Sequence, residues 1–288
     1  KSKGRQPAVY YSAMAVLRDD PVQLIAQEQV RLFAELKKLP EPAWQLMSRC
    51  EGWTNARLVS HLALGAEFYH QSVSKAIRGD CLPPSVPGGQ RLTVERFRER
   101  SKAKQEDLAE RSRAELLQLF DEKGTALVDL FRRVAPHNMT KPAWHPMGNW
   151  TIAMFVSVRV FELALHGWDI HVSRDPAAAV RLQLQPFLVH FQLQTGKRFF
   201  QGDAELDGIY RFELQGSQAW TTRIFNGKMD YGPIEPSPDA IIRTDANHFL
   251  LLTTCRETLA QLEQRGLLKI EGDRERAEEL VKAICRRF

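Results

Sequence analysis

Cysteine is scarce in this sequence: 288 residues hold four, Cys50, Cys81, Cys255 and Cys285. No two form a C-x-x-C pair, and four are too few and too scattered for a disulfide framework. All four are therefore expected as thiols in a reducing, cytoplasmic setting, with Cys50 and Cys81 inert or redox-active. No apolar run approaches the roughly 20 residues needed to cross a bilayer, which excludes a membrane-spanning helix. Internal repeats and low-complexity tracts are missing as well. With 43% apolar and 26% charged residues, disordered and fibrous classes are excluded and a globular protein is expected. At about 100–200 residues per domain, the length suggests two domains.

An excess of one charge is also largely missing once its location is known. The formal net charge is +5, from 40 Lys+Arg against 35 Asp+Glu. Residues 1–174 hold 25 basic and 19 acidic groups, leaving 15 and 16 for the remainder. Lys1, Lys3 and Arg5 lie among the first 13 residues, which contain no acidic group. This stretch lacks the apolar core of about 7–15 residues that marks a secretory signal. Met14 opens the run before the first helical pattern and reads as the natural start, making 1–13 a leader outside the fold. The charged segment 95–133 mixes both signs, as a solvated helix face does. Nucleic acid is therefore not expected as a partner.

What is present is helical periodicity in the first half. Val22, Ile25, Val30, Phe33 and Leu36 follow helical spacing from Pro21 to Leu39, where Pro40 and Pro42 end the run. Thr54 is an N-cap candidate for a second helix carrying Leu58, Leu62, Gly65 and Phe68 on one face. The Pro- and Gly-rich stretch 79–90 reads as a loop, and Val94 to Val134 as a charged, mostly helical segment. After a loop at 142–149, Thr151 caps a helix to about Val172 that is apolar nearly all round, as a buried central helix is. Four such helices predict a bundle over 14–174.

The second half, 175–288, reads as α+β. A helix is expected over about 177–200, followed by strands at Tyr210–Leu214, Trp220–Phe225 and Ala240–Thr244. Asn226-Gly227 is a hairpin signal, and helical patterns end the chain.

Chemistry is concentrated on the apolar helix at 151–172. Arg159, Glu162, His166 and Asp169 follow spacings of three, four and three, so they share one stripe. Burying such groups costs several kcal/mol each unless they are paired or bind a metal. Glu162 and His166 at i, i+4 can present one oxygen and one nitrogen to a divalent ion, although a buried ion pair fits equally. Arg159 could hold a substrate carboxylate bidentately or pair with Glu162 or Asp169. Asp169 could orient a ligand imidazole or lie at the helix end without such a role. His61 sits on the core side of the second helix; His171 is expected to be structural, and His70 to face away from this stripe. His145 could line the mouth of a pocket or lie on the surface.

Cys50-Glu51-Gly52-Trp53-Thr54 with His61-Leu62, followed by Glu162-Leu163-Ala164-Leu165-His166-Gly167-Trp168-Asp169, resembles the mycothiol-dependent maleylpyruvate isomerase family, a branch of the DinB-like four-helix bundles. The resemblance covers nearly all of 14–174. It implies a divalent metal on His61, Glu162 and His166, zinc before iron, nickel or manganese. It also implies a small thiol such as mycothiol as cofactor, a small-molecule substrate, and an arginine of the second domain reaching the site, with Arg211, Arg223 and Arg243 as candidates. Segments Trp220–Gly227, Asp239–Thr244 and Leu267–Asp273 are similar to the family's sterol-carrier-protein-like C-terminal domain. The expected fold is therefore a DinB-like four-helix bundle followed by a smaller α+β sterol-carrier-like domain, as monomer or homodimer. The expected function is a metal-dependent isomerase or thiol transferase acting on a small, carboxylate-bearing substrate. Two histidines and one carboxylate also match the facial triad of non-haem iron enzymes, and a non-catalytic metal- and ligand-binding protein is the third reading.

Overall fold

The computed structural model of the chain describes residues 20–86, 89–200, 202, 204–216 and 218–285. The leader at 1–13 and the Met14 start lie outside the described residues. The described chain divides into a helical unit ending at Ala179 and a second unit from Val180.

In the helical unit, α1 (Pro21–Lys38) starts where the Asp20 carboxylate accepts the Val22 N–H. It stops before Pro40, which cannot continue a helix. Helix α2 (Asn55–Ile77) is capped by Thr54, whose hydroxyl oxygen accepts the Arg57 N–H at 3.2 Å. The charged stretch 94–134, expected as one segment, is two helices, α3 (Val94–Ala109) and α4 (Arg113–Arg133). The break comes from a capping box: the Ser112 hydroxyl accepts the Glu115 N–H, and the Glu115 carboxylate accepts the Ser112 N–H. The loop expected at 142–149 begins with one short strand and is closed by another that pairs with it, β1 (Pro142–Ala143) and β2 (Trp150–Thr151). Thr151 then caps α5 (Ile152–Val172) through the Met154 N–H at 3.2 Å.

Helices α1, α4, α2 and α5 pack in a ring, each against the next, while α3 lies outside against α2. Leu32, Leu58, Leu62, Phe120, Leu127, Phe155, Val160 and Leu163 form the interior. The all-round apolar character of α5 follows from its place in this ring: Phe155, Val156, Val160, Phe161, Leu163, Leu165 and Trp168 are all buried. At the rim, the Glu35 carboxylate of α1 joins His171 of α5 at 2.6 Å and Arg31.

Turns and irregular chain fill 174–184, and the first helix of the second unit, α6 (Gln185–Phe199), is shorter than the expected 177–200. Five strands follow: β3 (Gly208–Leu214), β4 (Ala219–Phe225), β5 (Lys228–Gly232), β6 (Ala240–Thr244) and β7 (Lys269–Gly272). Their order in the sheet is β5-β4-β3-β6-β7, with β3 and β6 parallel and the other pairs antiparallel. The β4–β5 hairpin turns on Asn226 and Gly227, both at positive φ (50° and 66°), the conformation that Asn-Gly supplies most readily. Helix α7 (Ala246–Thr253) packs on α6, and α9 (Arg274–Ile284) packs on α7, β6 and β7, with the short α8 (Leu259–Gln264) between them in sequence.

Cys255 and Cys285 form a disulfide, their Cα atoms 5.5 Å apart. This corrects the expectation of four free thiols. The two cysteines are 30 residues apart, and only the packing of α9 beside the end of α7 brings them together. No described helix is long and apolar enough to cross a membrane.

Two outcomes follow from this architecture. Thiol titration of the unfolded, unreduced chain is expected to find two free thiols, Cys50 and Cys81, rising to four after reduction; four before reduction would refute the bridge. The Glu35 carboxyl is shielded from water, which raises its pKa, but hydrogen bonds from His171 and Arg31 outweigh this and bring it down to about 2. Because the folded-state value lies below the unfolded one, this stabilisation is present above about pH 4.5 and is lost as the pH falls through about 2. Thermal unfolding from pH 6 to 2 is expected to show the advantage of wild type over Glu35→Gln shrinking across that window.

Candidate metal centre in the helical unit

The centre is assembled from α2 and α5. His61 follows Leu58 and precedes Leu62, both fully buried, so the backbone on either side is held. One edge of that ring stays open, with 30% of the side chain exposed, and protein surrounds the rest. Desolvation, the His166 ring and the Arg159 cation together push its pKa down to about 3, which keeps the imidazole neutral at ordinary pH. Its Nε2 lies 3.9 Å from Glu162 Oε1, and its ring centroid lies 5.1 Å from that of His166, edge to face. Two atoms each about 2.0–2.1 Å from one zinc ion can be at most about 4.2 Å apart, so His61 and Glu162 are within reach of a shared ion.

Glu162 has one oxygen occupied and one unfilled. Oε1 accepts the Tyr69 hydroxyl at 2.8 Å. Oε2 is buried without a hydrogen-bond partner among the described residues, though the Arg159 guanidinium stands 3.6 Å from it. A buried carboxylate oxygen with spare acceptor capacity is unfavourable unless something cationic completes it. Burial and the adjacent Glu162 hold the Tyr69 pKa well above its ordinary value, so Tyr69 stays a donor. His166 is buried and makes its Nδ1 contact with Asp169 Oδ2 at 2.9 Å. A carboxylate on one ring nitrogen fixes the tautomer and leaves Nε2 as the lone-pair atom. Two imidazoles and a carboxylate are ligand types that suit a divalent metal, although the oxygen nearer His61 is Oε1 and the unfilled Oε2 faces Arg159.

Arg159 lies behind this group. It is fully buried, donates from Nη1 to the Leu62 carbonyl at 2.9 Å and from Nη2 to Gln29 Oε1 at 3.4 Å. Burial lowers its pKa while Glu162 and Tyr69 raise it. Of its two expected ion-pair partners, the structure pairs it with Glu162. Gln29 in turn donates to the Phe120 carbonyl at 3.0 Å. It crosses so close to α4 that a Cβ at Gly124 would stand 2.1–2.3 Å from its amide, so a side chain there would displace Gln29 from its hydrogen bonds.

Cys50 and Tyr69 are the members that sequence reasoning missed. Cys50 Sγ lies 3.4 Å from Asp169 Oδ2 and 3.9 Å from His166 Nδ1, and Cys50, His166 and Asp169 are the one group of metal-ligand types among the described residues whose donor atoms all lie within 4.8 Å of one another. The signal for Tyr69 was available: it follows His61 by eight residues, two turns further on the same side. No spacing connects Cys50 with 166–169. Of the remaining histidines, His171 pairs with Glu35 and His70 lies toward Lys123 and Arg133. His145 stacks on Trp150 at 3.4 Å, and desolvation with the Arg98 charge pushes its pKa down to about 3. Arg211, Arg223 and Arg243 are each in ion pairs within the second unit, with Glu213, Glu235, and Glu213 with Glu271 respectively.

A recess of about 360 Å³ runs along α2, walled by Leu64, Phe68, Phe97, Leu92, Arg100 and Lys104. Leu64 and Phe68 follow His61 by three and seven residues and so lie on its side of the helix.

Comparison with known proteins places the chain in a family. No curated protein matches the sequence. Among solved structures, the mycothiol-dependent maleylpyruvate isomerase superposes with a TM-score of 0.59 at 14% identity, covering 82% of this chain and 88% of that one. A mutant of the same enzyme gives 0.59 at 12% identity with the same coverage. Sterol Carrier Protein 2 Like 2 from Aedes aegypti covers 34% of this chain and 96% of its own at 19% identity, with a TM-score of 0.30. The SCP-2 sterol transfer family matches residues 203–284. The mycothiol maleylpyruvate isomerase N-terminal domain matches residues 25–171, just over half of the sequence, and the chain belongs to that family.

Proposed function

We propose that this chain is a metal-dependent enzyme that uses a small thiol, mycothiol or a chemical equivalent, to isomerise a small unsaturated carboxylate. The observation that carries this reading is the placement of His61 beside both Glu162 and the His166 ring, with a carboxylate already seated on His166 Nδ1. These three residues would hold the ion. A divalent metal bound there supplies a Lewis acid at which a thiol is favoured as the thiolate.

The protein's own groups prepare that position. Asp169 holds the His166 ring and keeps its Nε2 lone pair available. Tyr69 fixes the rotation of the Glu162 carboxylate through Oε1, and Arg159 balances its charge from the buried side. This geometry makes Arg159 a positioning residue, since its guanidinium is fully buried. His61 stays neutral and so remains a donor. The recess further along α2 is a candidate for the substrate: Leu64, Phe68 and Phe97 offer apolar walls, and Arg100 offers a cation for a carboxylate. Family membership supports the isomerase class, and a cytoplasmic setting would supply the thiol. Thiol transfer to the same substrate class is the neighbouring reaction.

Metal analysis of protein purified anaerobically is the first test. Wild type is expected to carry about one divalent ion per chain, with zinc supporting thiol chemistry and ferrous iron pointing to oxidation. His61→Ala is expected to lose that ion; full retention would overturn the site. Metal-loaded protein is expected to isomerise a maleylpyruvate-like substrate only when mycothiol or a similar thiol is present, and turnover without thiol would overturn the mechanism. Tyr69→Phe removes one neutral-to-charged hydrogen bond, worth about 1.5–3 kcal/mol, and is expected to weaken metal affinity while retaining the fold by circular dichroism.

A further inference from the structure

We propose that the turn from Ser48 to Thr54 positions the metal centre, with Cys50 acting through Asp169 on His166. The inference rests on the metal reading of His61, Glu162 and His166 given above, and it assigns a role to a thiol outside that set.

The turn is closed by its own hydrogen bonds. The Ser48 N–H donates to the Trp53 carbonyl at 2.9 Å, the Trp53 N–H to the Cys50 carbonyl at 3.0 Å, and the Cys50 N–H to Ser48 Oγ at 3.1 Å. Met47 and Thr54 pair as an antiparallel bridge across its base, and Gly52 takes a φ of +75°, a conformation that suits glycine. Two side chains leave this loop for the two histidines. The Trp53 ring lies 5.1 Å from the His61 ring and carries the Arg57 guanidinium 5.2 Å above it. Cys50 Sγ donates to Asp169 Oδ2 at 3.4 Å, the oxygen that meets His166 Nδ1 at 2.9 Å.

The chemistry of this contact favours positioning over ligation. Asp169 is fully buried, and a carboxylate there needs donors that fix its rotation without neutralising it. A thiol is a weak donor that leaves the negative charge on the carboxylate. Sγ sits on the Nδ1 side of the His166 ring, whereas the ion would take Nε2. Cys50 therefore steadies the carboxylate that steadies the ring. Outer partners of this kind affect metal affinity by about 10–100-fold.

The test uses the full chain, zinc affinity from competition with a chromophoric chelator, and the absorption spectrum of cobalt-loaded protein. Cys50→Val keeps the volume and removes the donor; it is expected to weaken zinc binding by about 10–100-fold and to shift the cobalt ligand-field bands. Cys50→Ser, which restores a donor, is expected to bind close to wild type. Wild-type cobalt protein is expected to show no thiolate-to-cobalt charge-transfer band. Such a band, lost in Cys50→Ser, would make Cys50 a ligand and overturn the proposal. Unchanged affinity in Cys50→Val, alongside metal loss in His61→Ala, would overturn it and leave the metal site standing. Unchanged affinity in His61→Ala would instead remove the metal reading itself. Should Cys50→Val fail to fold, the serine variant decides: binding at least tenfold weaker than wild type in a folded Cys50→Ser protein would overturn the role of the donor.

Discussion

The helical unit is organised around the cost of placing four ionisable side chains on its most buried helix. α5 is enclosed by apolar contacts, and Arg159 and Asp169 on it are wholly removed from water. An unpartnered charge there would cost several kcal/mol, more than a domain of this kind can spare when its net stability is only about 5–15 kcal/mol. The groups are instead paired along α5, Arg159 with Glu162 and His166 with Asp169, and bonded to neighbouring elements. The Arg159 guanidinium reaches Glu162, the Leu62 carbonyl of α2 and Gln29 of α1. Gln29 reaches the Phe120 carbonyl of α4 over the bare backbone at Gly124. The polar network thus ties all four helices of the ring together at one level and sets their spacing.

The same network prepares the proposed centre. Glu162 keeps one buried oxygen unfilled because Arg159 spends its best hydrogen bonds elsewhere and Tyr69 occupies the other oxygen. Desolvation, which would penalise a charged His61, works in favour of a metal because a neutral imidazole is the form that binds one. Structural cost and ligand availability are two aspects of one arrangement: groups that must be partnered in a dry interior are held at fixed positions.

The second unit is stabilised differently. Its sheet core is apolar, with Tyr210, Phe212, Ala240 and Ile242 buried, while ion pairs such as Arg243 with Glu213 and Glu271 lie on the partly exposed face of the strands. Strand β6 was readable residue for residue because Ala240, Ile242 and Thr244 alternate with less buried neighbours. Strands β5 and β7 were not: Lys228–Gly232 and Lys269–Gly272 are short edge strands with little buried surface, and period-two patterning weakens where one edge faces solvent.

The sequence by itself determined what depends on neighbours along the chain. Thr54 and Thr151 as caps, the Asn226-Gly227 turn, the central burial of α5 and the shared stripe of Arg159, Glu162, His166 and Asp169 all follow from local hydrogen bonding and helical period. The motif around Cys50–Thr54 and Glu162–Asp169 was enough to indicate the family. Only the tertiary structure decided which charges meet. It paired Arg159 with Glu162, placed Tyr69 on the other oxygen, set Cys50 against Asp169 119 residues away, and joined Cys255 to Cys285. The cysteine contacts join residues far apart in the chain and are fixed by packing, to which periodicity and spacing carry no direct pointer, whereas for Arg159 and Tyr69 spacing offered candidates and helix rotation within the ring chose among them.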